Sequence, residues 1–175
     1  VGIMSRTKAS AEESAILAQT IGVGDNAKAY DTITDMIADP AIDALWVCSP
    51  NFARIDTFEE IANAISSGKG ELIGVSCEKP LGRNYKEAKK VLELTQSVGL
   101  LDGYLENQVF SPSITRGKEI VWARGAATTG RPYLARAAEE HSGPHMPWFW
   151  EGSLQGGGVL NDMMCHSVEE ARFML

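Results

Sequence analysis

The 175-residue sequence has no long apolar run, no cysteine pair at C-x-x-C spacing and no excess of basic charge. Its uninterrupted apolar stretches are a few residues long, far short of the ~20 that a bilayer-crossing helix needs, so no membrane span is expected. Three cysteines (Cys48, Cys77, Cys165) are an odd number without metal-ribbon spacing, which points to reduced thiols and a cytoplasmic setting. Lys and Arg total 16 against 23 Asp and Glu, a net charge of −7, so no basic face is available for nucleic-acid phosphates. Histidine is scarce as well: there are 3 in the chain, all between positions 141 and 166. What is present is ordinary: 44% hydrophobic, 22% charged, 17 Gly and 7 Pro, which excludes collagen-like, disordered and coiled-coil classes.

The patterning alternates between strand and helix. Residues 1–5 read as a short buried strand, and Ser10 with Glu13 forms a capping box for a helix over 10–21. Asp31 opens a short helix that stops at Asp39-Pro40, because the residue before proline disfavours the α region. The runs 44–48 and 72–76 are continuously apolar, as in fully buried parallel strands, with a helix over 55–67 between them. Asn84 and Glu87 cap a further helix whose Ala88, Val91, Leu92, Thr95 and Val98 share a face, and 100–104 is another strand. This rhythm predicts an α/β fold with a doubly wound parallel sheet. It ends near Glu106-Asn107. A helix over 111–124, a loop over 125–130, a sheet strand over 131–140 and an aromatic-rich loop over 141–158 follow, so two domains are expected: 1–106 and 107–175.

Parallel sheets bind ligands at the carboxyl ends of their strands. Ser49-Pro50-Asn51 ends one predicted strand, Glu78-Lys79-Pro80 the next and Glu106-Asn107 a third. Lys79 at such a position can take part in proton transfer. In the run Gly156-Gly157-Gly158-Val-Leu-Asn161-Asp162-Met-Met-Cys165-His166, a helix from about Asn161 would set Asp162 and His166 four apart on one face. The aspartate could then orient an imidazole that takes or gives a proton. Gly22-Val-Gly24-Asp-Asn-Ala27 matches G-x-G-x-x-A, but a helical pattern precedes it, so it reads as a helix C-cap and loop. Just after the first strand stands Ser5-Arg6-Thr7-Lys8; an arginine there accommodates a 2′-phosphate, which favours NADP over NAD. A metal site from Asp162, Cys165, His166, His141 and His145 is not expected, because Cys165 and His166 diverge by about 100° on a helix.

The order Pro-Asn, Glu-Lys-Pro, then Gly-Gly-Gly leading to Asp-x-x-x-His resembles the glucose–fructose oxidoreductase/inositol dehydrogenase (Gfo/Idh/MocA) family along essentially the whole chain. The resemblance implies a Rossmann-type domain followed by the start of an α+β substrate domain, and an NAD(P)-dependent oxidoreductase acting on sugars, cyclitols or related polyols. It implies catalytic roles for Lys79, Asp162 and His166, with Ser5, Arg6, Ser49, Pro50, Asn51, Glu78, Lys79 and Glu106 at the cofactor. His141, His145 and Trp150, with Lys79, Asp162 and His166, become candidate substrate contacts. Many members carry a histidine where Arg54 stands here. The family's first strand and glycine-rich loop would precede Val1 and its later sheet strands would follow Leu175. On that reading the chain is a fragment expected to bind nicotinamide weakly, while the longer protein forms a homo-oligomer. Two other readings stay open: an NAD-dependent glycoside hydrolase of the same fold, and a non-catalytic sugar- or partner-binding relative.

Overall fold

The computed structural model describes residues 1–175, which fall into two units. The first is Val1–Ser49, Ala53–Cys77 and Lys89–Gly103; the second is Pro50–Phe52, Glu78–Ala88 and Tyr104–Leu175. The last crossing lies close to residue 106, whereas the segments at Pro50–Phe52 and Glu78–Ala88 interrupt the first unit.

In the first unit, β1 (Gly2–Met4) pairs in parallel with β2 (Lys28–Tyr30), and β3 (Ala44–Val47) pairs in parallel with β4 (Gly74–Glu78). β5 (Leu101–Leu105) adds to β4, giving separate sheets of two and three strands. A doubly wound sheet of order 3-2-1-4-5-6 has this arrangement on either side of its central strand. Helix α1 (Lys8–Thr20) connects β1 to β2 and buries only Ala11, Ala15 and Ala18. These small side chains let it pack closely against Ala27 and Ile3. α2 (Ile33–Ile37) packs on α3 (Arg54–Ser66), where Glu60 Oε1 accepts from the Thr34 amide (3.0 Å) and hydroxyl (3.1 Å). Ile37, Phe58 and Ile61 are each nearly solvent-free, and Val47, Val75 and Val91 are buried as well.

Several sequence expectations shift. α1 starts at Lys8 with Thr7 as its cap, accepting from the Ser10 amide, so Ser10 lies inside the helix. Thr32, not Asp31, caps α2. β2 went unread because three residues are too few to display a period. β4 begins two residues later than expected. β3 is not buried on both faces, since Trp46 is 69% exposed. A continuous apolar run cannot distinguish burial on one face from burial on two.

Asp39 joins the end of α2 to β2. It accepts from Lys28 Nζ (2.8 Å), the Tyr30 hydroxyl (2.7 Å) and the Ala41 amide (2.9 Å). The Lys28 bond first, then the Ala41 amide and Tyr30, hold its carboxyl well below the usual carboxylate range. A depressed native pKa stabilises the fold above the unfolded value near ~3.9, and that contribution is lost as pH falls below it. Chemical denaturation from pH 6 to pH 2 should therefore show a smaller acid-side loss in Asp39→Asn than in the parent. An unchanged loss would remove Asp39 from the acid response.

In the second unit, α4 (Tyr85–Ser97) begins where expected, with Asn84 Oδ1 accepting from the Glu87 amide (3.2 Å). α5 (Pro112–Ile120) runs through a π-helical turn (Val121–Gly125) into α6 (Ala126–Thr129), so helix occupies the predicted loop up to Gly130. No strand forms over 131–140: a strand exists only by hydrogen bonding to a neighbour, and none of the five strands pairs there. The predicted loop 141–158 contains a 3₁₀ turn (Pro147–Trp150) and α7 (Gly152–Gln155). α8 (Val159–Asp162) and α9 (Met164–Met174) follow, broken at Met163. Trp122 Nε1 donates to the Met174 carbonyl (2.8 Å), tying the π turn to the end of α9.

Candidate active site

The second unit gathers the chemistry. β4 ends at Glu78, and the next residue, Lys79, donates from Nζ to Asp162 Oδ1 (3.1 Å) and to the Asp162 carbonyl (2.8 Å). Side-chain exposures of 21% and 14% make this a mostly buried ion pair. The Lys79–Pro80 peptide is cis. Asp162 closes α8 and His166 lies in α9, so the break at Met163 removes the shared helical face expected for them. Asp162 therefore pairs with Lys79, and the imidazole has a different carboxylate partner: His166 Nδ1 lies 2.5 Å from Glu106 Oε1, with both residues buried. Glu106 Oε1 also accepts from the Gln108 amide (3.1 Å), while Oε2 is buried without a partner.

Gln155 organises the glycine run beside them. Its Oε1 accepts from the Gly157 amide (2.7 Å) and the Gly158 amide (2.5 Å), and its Nε2 donates to the Gly158 carbonyl (3.1 Å). Its own carbonyl accepts from Asn51 Nδ2 (2.9 Å) and Asn161 Nδ2 (3.0 Å). Asn51, expected at the cofactor, is thus buried and spends its amide on this loop. Arg83 adds a clamp, donating to the Ser153 carbonyl and to Glu87, whose carboxyl the guanidinium holds below its ordinary range. Sequence reasoning missed Gln155 and the Glu106–His166 pair. The one available signal for Gln155 was a long polar side chain placed directly before three glycines.

A cavity of about 510 Å³ is lined by Glu139, Glu140, His141, Trp150, Asp162 and Met163, among others. Of the expected substrate contacts, His141 and Trp150 line it and His145 does not. His141 Nδ1 accepts from the Gly143 amide (2.9 Å), which puts the ring proton on Nε2, facing Met163 Sδ (2.9 Å). Trp148 stacks on Phe149 at 3.8 Å and meets Phe52 edge-on.

Cys165 and His166 are consecutive in α9, and their expected divergence there does not keep the two side chains far apart. Their ligating atoms and one from Glu106 lie within 4.8 Å of one another, although Asp162 is outside the group. Cys165 nevertheless donates its S–H to the Asp162 carbonyl (3.2 Å), and burial pushes the thiol pKa up, whereas a metal binds thiolate.

In the first unit, Ser5 is partly buried and Arg6 exposed, directly after β1. Lys8 is paired with Asp31 (2.9 Å), whereas Arg6 makes no ion pair. Gly22 (φ 71°) follows α1, and β2 follows Ala27, so this glycine motif is the helix-ending loop expected. Arg54 is buried and donates to the Ser49 carbonyl (3.1 Å). Ser49 Oγ, just past β3, is buried without a partner, an orphaned donor suited to a ligand at a strand's carboxyl end.

Residues 1–102 match the model of an oxidoreductase family with an NAD-binding Rossmann fold. The chain belongs to the Gfo/Idh/MocA family. Its sequence is 29% identical over 175 residues to 1,5-anhydro-D-fructose reductase of Ensifer adhaerens, covering 99% of this chain and 49% of that protein. It is 30% identical over 150 residues to myo-inositol 2-dehydrogenase of Thermotoga maritima, covering 85% of this chain and 40% of that one. A levoglucosan dehydrogenase solved with NADH and levoglucosan shares the fold, with a TM-score of 0.72 at 20% identity over 99% of this chain and 44% of that structure. The chain thus spans about half the length, or less, of these family relatives. No helix is long and apolar enough to cross a membrane.

Proposed function

We propose that this chain forms the cofactor-binding and catalytic portion of an NAD(P)-dependent oxidoreductase that oxidises a hydroxyl carbon of a sugar, cyclitol or related polyol, or reduces the matching carbonyl. The observation that carries the reading is the Lys79 ammonium held on Asp162 where Asp162 lines a cavity with Trp150. Lys79 and His166 do not themselves line that cavity, and Asp162 is the group that joins the cation to it. The cation would polarise one oxygen of a polyhydroxylated ring whose apolar face the indole covers. The reductase and dehydrogenase names of the family relatives support the same substrate class.

The residues fit a nicotinamide dinucleotide. Ser49 and Pro50 after β3, and Glu78 with Lys79 at β4, would hold its nicotinamide end, the orphaned Ser49 hydroxyl supplying a donor, while Asn51 braces the glycine loop instead. When bound, the nicotinamide ring supplies the hydride acceptor or donor. Asp162 keeps Lys79 in place, and Lys79 draws electron density from the reacting oxygen. His166 takes that hydroxyl's proton as the carbonyl forms, and returns it in reduction.

Arg6 directs the preference to NADP, because it stands unpaired after β1 where a 2′-phosphate is read. Titration of the full-length protein should give tighter binding of NADP than NAD, and Arg6→Ala should weaken NADP about tenfold, one ionic contact's worth, while leaving NAD unchanged. Equal losses for both would assign Arg6 a structural role. The activity itself is tested by nicotinamide reduction across a panel of neutral sugars, inositols and anhydrosugars. Glycoside cleavage without net reduction would move the protein to the hydrolase reading, and silence in both assays to the binding reading.

A further inference from the structure

We propose that Glu106 is the positioning residue for His166, fixing the ring so that Nδ1 carries the proton and Nε2 offers its lone pair to the substrate hydroxyl. The inference rests on the reading of His166 as the proton acceptor and deepens it. Three observations converge. First, the two side chains meet at 2.5 Å with exposures of 6% and 3%, so the contact is shielded from water. A carboxylate oxygen accepts, and the imidazole nitrogen facing it therefore carries hydrogen. Nε2, the other ring nitrogen, makes no hydrogen bond.

Second, Glu106 is held from behind. Its Oε1 is fixed by the Gln108 amide, while Oε2 is buried without a partner. A buried oxygen left unpaired costs stability, and a fold that keeps one retains the carboxylate for its charge rather than for packing. Third, the other carboxylate is engaged: Asp162 binds Lys79 and forms a compensated pair. That leaves Glu106 as the anion facing the ring. When Nε2 accepts the hydroxyl proton, the O–H bond breaks and an N–H bond forms. The resulting imidazolium then lies against Glu106, so charge that develops during the reaction is met by a charge already in position.

The test uses the full-length protein with ¹⁵N-labelled histidine, in wild-type, Glu106→Gln and Glu106→Asp forms, with the His166 resonance assigned by its loss in His166→Asn. The wild type should show a protonated Nδ1 and an unprotonated Nε2 at neutral pH, and Glu106→Gln should move the ring toward the other tautomer. Turnover in Glu106→Gln should fall about 10–100-fold with KM and nicotinamide Kd held within about twofold, and Glu106→Asp should recover part of the loss. An Nε2–H tautomer in the wild type, or an unchanged ring signature in Glu106→Gln, would overturn the proposal. So would a kcat loss matched by weaker nicotinamide binding, which would place Glu106 at the cofactor instead. The ring signature needs no substrate. A tautomer shift without turnover on any sugar would therefore uphold the orientation and remove the dehydrogenase reading.

Discussion

Replacing Lys79 with methionine should lower turnover of the full-length protein by about 10²–10⁴-fold, the usual range for losing a positioned proton-transfer or polarising group. Methionine keeps most of the stem's volume and removes the ammonium that bonds Asp162 Oδ1 and its carbonyl at 3.1 and 2.8 Å. The effect should lie mainly in kcat, since polarisation of the reacting oxygen matters most as charge develops on it. Stability should fall less, by about 1–3 kcal/mol: Asp162 is left without its cation, but at 14% exposure it keeps some contact with water. Steady-state kinetics alongside thermal unfolding separates the two effects. Retention of more than about a tenth of turnover would remove Lys79 from the chemistry.

Gly156→Ala should be strongly destabilising for a single added methyl. Gly156 has φ +104°, and a Cβ there would lie 2.3 Å from the Arg83 carbonyl oxygen and 2.6 Å from Arg83 Cα. Both are backbone atoms, so no side-chain rotation relieves the overlap. The unfavourable backbone conformation costs about 1–3 kcal/mol and the overlap a similar amount, so a loss of about 3–5 kcal/mol is expected. That corresponds to a fall of about 10 °C in thermal midpoint at this size. Activity should fall as well, because Gln155 and Asn161 of the same loop fix the approach to Asp162. Gly152→Ala is the control, since a Cβ at Gly152 meets nothing within 4 Å. A Gly156→Ala protein with parental midpoint would mean that the loop readily adopts another path.

The placement of Lys79 and Glu106 was legible because both are tied to strand ends. Lys79 follows β4 whatever the helix boundaries, and Glu106 follows β5 in the same way. Helix starts were harder to read. Ser10 with Glu13 satisfied a capping pattern, yet Thr7 three residues earlier took the cap. Local hydrogen-bonding chemistry allowed either, and Ala11, Ala15 and Ala18 are inside the helix on both readings, so the apolar pattern did not separate them. The strand expected over 131–140 failed for a different reason, since alternation supplies a face but not a partner.

The pairing of charges lay beyond sequence reading. Spacing of four residues suggested that Asp162 orients His166, and an unbroken helix would have made it so. The break at Met163 turned Asp162 to Lys79 and left His166 to Glu106, sixty positions earlier. What the sequence alone determined was the scarcity of histidine and basic charge, the strand-and-helix alternation, and which residue types stand at strand ends, because these follow from composition and local period. Which carboxylate serves which cation was decided only by tertiary structure, because ion pairs form between whatever groups the packing brings within about 3 Å, at any separation along the chain.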